Sequence, residues 1–152
     1  MDHVAADPGL EVLRRRRAEL RDSMDALEQA LAAPAPRRAA AWAERVHVAL
    51  VELSADLRTH VDVTEGPDGL HQAVLATAPR LSPAVDRLSR EHVLLLTCVD
   101  ELLEHLDGPD PADGVAAARE RGTTLLGQLV RHRQRGSDLV FEAYQADIGG
   151  ET

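Results

Sequence analysis

Apolar residues recur along most of this chain at alternating steps of four and three, the rhythm of an amphipathic helix with one buried face. The pattern is plainest from Trp42 to Glu65, where Trp42, Val46, Leu50, Leu53, Leu57, His60 and Thr64 share a stripe. An N-terminal stripe runs through Leu10, Leu13, Arg17, Leu20, Met24, Leu27 and Leu31. A third carries Leu81, Val85, Leu88, His92, Leu95, Val99, Leu102 and Leu106. A fourth carries Val115, Ala118, Gly122, Leu125, Leu129, His132, Gly136, Leu139 and Ala143. Prolines and glycines separate them at Pro34 and Pro36, Gly66-Pro67, Pro79 to Pro83, and Gly108 to Pro111, because proline lacks an amide donor and restricts its predecessor. Four long helices with short connectors predict an all-α, up-down-up-down four-helix bundle over residues 9–146. A flexible N-terminus (1–8) is expected before it and an irregular tail (147–152) after it. Asp7-Pro8 and Ser82-Pro83 read as cap-plus-first-position helix starts, and Leu70–Ala76 as a short helical turn. Gly122 and Gly136 weaken a helix and so predict close packing or a local bulge.

Composition narrows the functional classes. Ala, Leu, Arg and Glu dominate, and a chain of 152 residues suffices for one domain with a full core. A net charge of −9 argues against nucleic acid as a partner, since phosphate binding needs a basic face. The run Arg14-Arg15-Arg16-Arg17 does not supply one, because consecutive helix residues point about 100° apart. No apolar run approaches the roughly 20 residues of a membrane span, so no membrane partner is expected. The first residues show no cationic-then-apolar leader pattern, and the single cysteine, Cys98, makes no internal disulfide. The expected location is cytoplasmic, as a monomer or homodimer. With no nucleophile–base pair, phosphate-binding glycine loop or cofactor fingerprint, catalysis is not indicated.

The chemistry lies where the stripes are interrupted. Each helix puts one bulky polar residue on its apolar face: Arg17, His60, His92 and His132. A buried imidazole needs a partner, and three imidazoles from three helices with nearby carboxylates form a nitrogen–oxygen set suited to iron, zinc or manganese. Glu65 is the foremost carboxylate; Asp138 and Glu142 lie beside the fourth stripe and would turn inward if Gly136 disrupts the helix. Counted from Pro34, Arg17 and His60 differ in depth by about 14 Å, less if residues 33–40 form a loop.

The segments LRRRRAELRDSMDALEQAL, LRTHVDVTEGPDGL, LSREHVLLL and LVRHRQRGSDLVFEAY together resemble the hemerythrin-like family (the HHE cation-binding domain), in its small actinobacterial single-domain form. The resemblance spans the whole length. It implies a non-heme di-iron centre inside the bundle and O2, NO or redox-linked iron chemistry. His60 and Glu65 match the family's helix-two pair, although its carboxylate usually stands where this chain has Thr64. His92, within Glu91-His92, matches helix three, and His132 matches helix four. The usual helix-four carboxylate position holds Gly136 or Ser137, leaving Asp138 as a shifted substitute and Glu142 as a supporting residue. Arg17 stands where the family has histidine; a guanidinium cannot ligate a metal, but it can take the second iron's place and pair with Glu65.

Two functional classes follow. One is a protein that binds one or two iron ions through His60, Glu65, His92, His132 and Asp138, with O2 or NO as its small ligand. The other is a metal-free, degenerate helical module acting by association through its surface or tail. Among the remaining residues, His47, His71 and His105 read as surface or partly buried and His3 as disordered. Cys98 reads as a small apolar filler. Trp42 and Phe141 are expected to pack, and Tyr144 to send its hydroxyl toward the polar layer.

Overall fold

The computed structural model describes residues 8–108 and 111–146. The elements are α1 (Pro8–Ala32), α2 (Ala39–Glu65), α3 (Leu70–Thr77), a 3-10 turn (Pro79–Leu81), α4 (Ser82–Leu106), α5 (Pro111–Phe141) and a π-helical turn (Glu142–Ala146). No strand occurs among the described residues. The four long helices form a helical bundle: α1 packs on α2 and α5, and α4 packs on the same two. No helix among the described residues is long and apolar enough to cross a membrane. The expected frayed N-terminus, with Asp7 and His3, and the tail from Asp147 lie outside the described residues.

The stripes read from the sequence face inward. Every member of the α2 stripe is buried, the imidazole of His60 and the hydroxyl of Thr64 included. On α4 the stripe is buried from Val85 to Leu102. Each fully buried leucine, such as Leu50, Leu53 or Leu57, contributes about 1.5–3 kcal/mol relative to exposure. The carbonyl groups that α1 leaves unpaired at its end find a partner on α5. Arg119 Nε donates to the Leu31 carbonyl at 3.0 Å, and its terminal nitrogen donates to that of Ala33 at 2.8 Å. The same guanidinium lies 5.3 Å from the centre of the Trp42 ring, fixing the α1–α2 corner against α5.

The apolar core is not continuous. A larger cluster runs from Leu20 and Leu57 to Trp42, Val99 and Ala118. A smaller one joins Val74, Ala78, Leu81, Val85, Leu88, Leu139 and Ala143. On α4 the boundary falls between Leu88 and Leu95, and on α5 between Leu129 and Leu139. His92 and His132 occupy those boundaries, so the interruptions of the stripes form one polar layer across the bundle.

Several local expectations are corrected. Ser82 is the first residue of α4 and makes no capping bond. Phe141 is 65% exposed, because burial of Leu139 and Ala143 turns the residue between them outward. Gly122 does mark close packing: a Cβ there would lie 2.5 Å from Leu31 Cδ1. Gly136 marks neither packing nor a bulge, since α5 continues through it and a Cβ would meet nothing within 4 Å.

Gly69 sets how α3 returns under the bundle. A Cβ at this position would lie 2.4 Å from the Val63 carbonyl oxygen and 2.6 Å from that of Thr64, both backbone atoms of α2. Gly69→Ala is therefore expected to destabilise the fold by about 1–3 kcal/mol. Urea unfolding followed by circular dichroism measures this; an unchanged midpoint would mean that α3 does not hold its place against α2.

Candidate metal centre

Three helices contribute one histidine each to the polar layer. His60 on α2, His92 on α4 and His132 on α5 are all buried. Their ring centroids are 5.3 Å (His60–His92), 5.8 Å (His60–His132) and 4.7 Å (His92–His132) apart. One ring nitrogen from each lies within 4.8 Å of the other two, a grouping that could hold a metal ion. Tetrahedral ligands at metal–nitrogen bonds of about 2.0–2.1 Å stand roughly 3.4 Å apart. Binding then requires a contraction on the order of 1 Å, within reach of side-chain rotation.

Carboxylates hold two of these rings from behind. His132 Nδ1 donates to Glu91 at 2.7 Å, and His92 Nδ1 donates to Glu65. A carboxylate only accepts, so the proton of each neutral ring sits on Nδ1 and the lone pair on Nε2, free for a metal. Glu91 is itself held by Arg135, whose Nε lies 2.7 Å away, and by Arg87 at 3.5 Å. Burial opposes its charge, but the hydrogen bond from His132 and the adjacent Arg135 guanidinium prevail and keep its pKa below the ordinary carboxylate value. His60 has no such partner: its Nδ1 is buried without a hydrogen bond.

All these imidazoles are held neutral. Burial, reinforced by His92, His132 and Arg17, pushes the pKa of His60 down to about 3. For His92, burial outweighs the opposing effect of its hydrogen bond to Glu65, and for His132 it outweighs that of its hydrogen bond to Glu91. Neutral imidazole is the form that ligates.

A partly open cavity of about 60 Å³ adjoins the cluster, lined by the three histidines and by Arg17, His71, Arg133 and Gly136 among others. His71, expected at the surface or only partly buried, is 5% exposed. Its ring stacks on His92 with a 2° interplanar angle, and its Nδ1 lies 3.2 Å from Ser89 Oγ. Only the docking of α3 beneath the bundle puts it there. Glu91, noticed in sequence merely as the neighbour of His92, was missed as the partner of His132; adjacent helix positions diverge by about 100°, which lets Glu91 and His92 reach different helices. Arg17 is half-buried at the cavity, and the connector over residues 33–38 takes up part of its offset from His60.

The other candidates lie apart from the cluster. Glu65 is turned to the back of the His92 ring, and Arg17 makes no ion pair with it among the described residues. Asp138 is exposed and accepts a hydrogen bond from Gln134 at 2.9 Å. Glu142 is exposed and pairs with Arg80 at 3.3 Å. Neither turns inward, because α5 does not break at Gly136. His47 lies 3.9 Å from Asp107, and His105 Nε2 lies 3.2 Å from the Gly114 carbonyl oxygen. Half-buried Cys98 packs on the larger cluster, and burial and Glu101 raise its thiol pKa, which disfavours the nucleophilic thiolate. Tyr144 is half-buried against the smaller cluster. Comparison with protein-family models, curated proteins and solved structures finds no match for this chain.

Proposed function

We propose that this protein is a hemerythrin-like, up-down-up-down four-helix bundle that holds one metal ion, iron, on His60, His92 and His132, and that it binds or senses O2 or NO. The observation that carries the reading is the convergence of three neutral ring nitrogens, with the rings of His92 and His132 oriented from behind by carboxylates. That arrangement resembles the carboxylate–histidine–metal pairs of protein metal sites. The buried, unpartnered Nδ1 of His60 argues against the metal-free alternative, in which the layer would be a self-satisfied polar network. Topology is supported by the cross-helix contacts Arg58–Asp100, His105–Gly114 and Ser23–Asp56, each consistent with neighbouring helices running in opposite directions.

Three imidazoles also suit zinc, copper or nickel, and the choice of iron rests on the resemblance in sequence. A second iron does not fit. Glu65 and Glu91 are engaged by imidazole N–H groups, Asp138 and Glu142 lie elsewhere, and two guanidinium groups line the cavity where anionic ligands would be needed. When bound, the metal would supply open coordination positions for a diatomic ligand. The chain's part is to keep the imidazoles unprotonated, to fix two rings through Glu65 and Glu91, and to limit water access with Leu20, Leu70 and Leu88.

Metal analysis of protein purified from iron-supplemented cells, with anaerobic Fe(II) and parallel Zn(II) titration calorimetry, tests this. One ion per chain is expected; two would restore a dinuclear site, and none would favour the metal-free module. Glu91→Gln keeps the shape but removes the charge behind His132, and is expected to weaken metal binding by about 10–100-fold. Unchanged affinity in that variant would mean that Glu91 does not orient the ligand.

A further inference from the structure

Five arginines among the described residues are half-buried: Arg16, Arg17, Arg119, Arg133 and Arg135. Arg16 pairs with Glu19, Arg119 donates to two backbone carbonyls, and Arg135 faces Glu91. Arg17 and Arg133 differ. Neither makes a hydrogen bond or ion pair with a described residue, although acidic residues outnumber basic ones, 26 to 17. Both line the cavity beside the histidine layer, on α1 and α5 respectively, and no carboxylate lines it with them. They are near enough to repel one another: burial, and then the charge of Arg133, lowers the pKa of Arg17. Two half-buried like charges on one cavity, without a counter-charge, repel one another, and an anion held between them would relieve that repulsion.

We propose that this cavity is a receptor for a small planar oxyanion of the formate, nitrite or bicarbonate class, held between Arg17 and Arg133. The guanidinium fork matches two oxygens on one atom, which gives parallel charge-assisted hydrogen bonds. A volume of about 60 Å³ suits an anion of a few heavy atoms. Gly136 adds room, since nothing lies within 4 Å of where its side chain would start. Leu20, Leu70 and Leu88 in the lining lower the local polarity and strengthen the charge interaction. The site shares its cavity with the metal centre proposed above but does not need the metal, so the two readings fail separately.

The test uses the full chain stripped of metal by chelation. Sodium formate, sodium nitrite and, as a size control, sodium benzoate are titrated at constant ionic strength, with calorimetry and thermal melts as readouts. Formate and nitrite should give saturable binding and a rising melting temperature, and benzoate should give neither. R17M and R133M should each weaken binding by at least about tenfold, while R121M, at an exposed position in another groove, should bind as the parent does. R17K and R133K keep the charge and lose the fork, which preserves a folded comparison if a methionine variant is unstable; they too should bind more weakly. Binding that is absent in the parent chain, or equal in the parent and in the Arg17 and Arg133 variants, would overturn the proposal.

Discussion

His132→Gln is expected to weaken metal binding by more than about 100-fold while leaving the bundle folded. Loss of a group that merely orients a ligating ring costs about 10–100-fold, and loss of the ring nitrogen itself should exceed that. Glutamine keeps a hydrogen-bonding side chain near Glu91, which lies 2.7 Å from His132 Nδ1, and so limits the penalty of stranding that carboxylate. The equivalent change at His92 carries the same expectation, with Glu65 as the group left behind. Titration calorimetry with Fe(II) and Zn(II), alongside far-ultraviolet circular dichroism, reads both outcomes. If a folded His132→Gln protein binds metal as tightly as the parent, the ion is held elsewhere and the three-imidazole site is wrong.

The second large effect is on stability. In the metal-free protein, lowering the pH from 7.5 to 5 is expected to lower the unfolding free energy by about 2 kcal/mol through His60 alone. The sign follows from where protons bind. An unfolded histidine titrates near 6.5, whereas burial and the neighbouring charges hold folded His60 at about 3. Between those values the unfolded chain carries more protons, so acid favours unfolding; above about 6.5 both states are neutral and the effect vanishes. His71, His92 and His132 are shifted in the same direction, chiefly by burial, and add to the loss. The depressed pKa of Glu91 extends it to lower pH, where protonation removes the hydrogen-bonded carboxylate. Urea titrations at several pH values measure the slope, and His60→Leu should flatten it. A slope that is flat in the parent between pH 7.5 and 5 would mean that these rings are solvated when folded.

Much of this protein was legible before any coordinates. The four stripes followed from the apolar period alone, because burial of one helix face is a local, repeating requirement. The odd members of the stripes were legible for the same reason: a histidine where leucine belongs stands out against the period. The sequence by itself thus determined the helices, their inward faces and the polar residues that break them. What it could not determine is which atoms face one another. Glu65 and Glu91 reach behind His92 and His132, His71 enters from α3, Arg17 and Arg133 share a cavity, and Asp138 and Glu142 remain outside. Those pairings depend on the relative rotation and depth of separate helices, and a difference of one residue rotates a side chain by about 100° and moves it about 1.5 Å along the axis. No periodicity within a single helix carries that information; only the packing of one helix against another decides it.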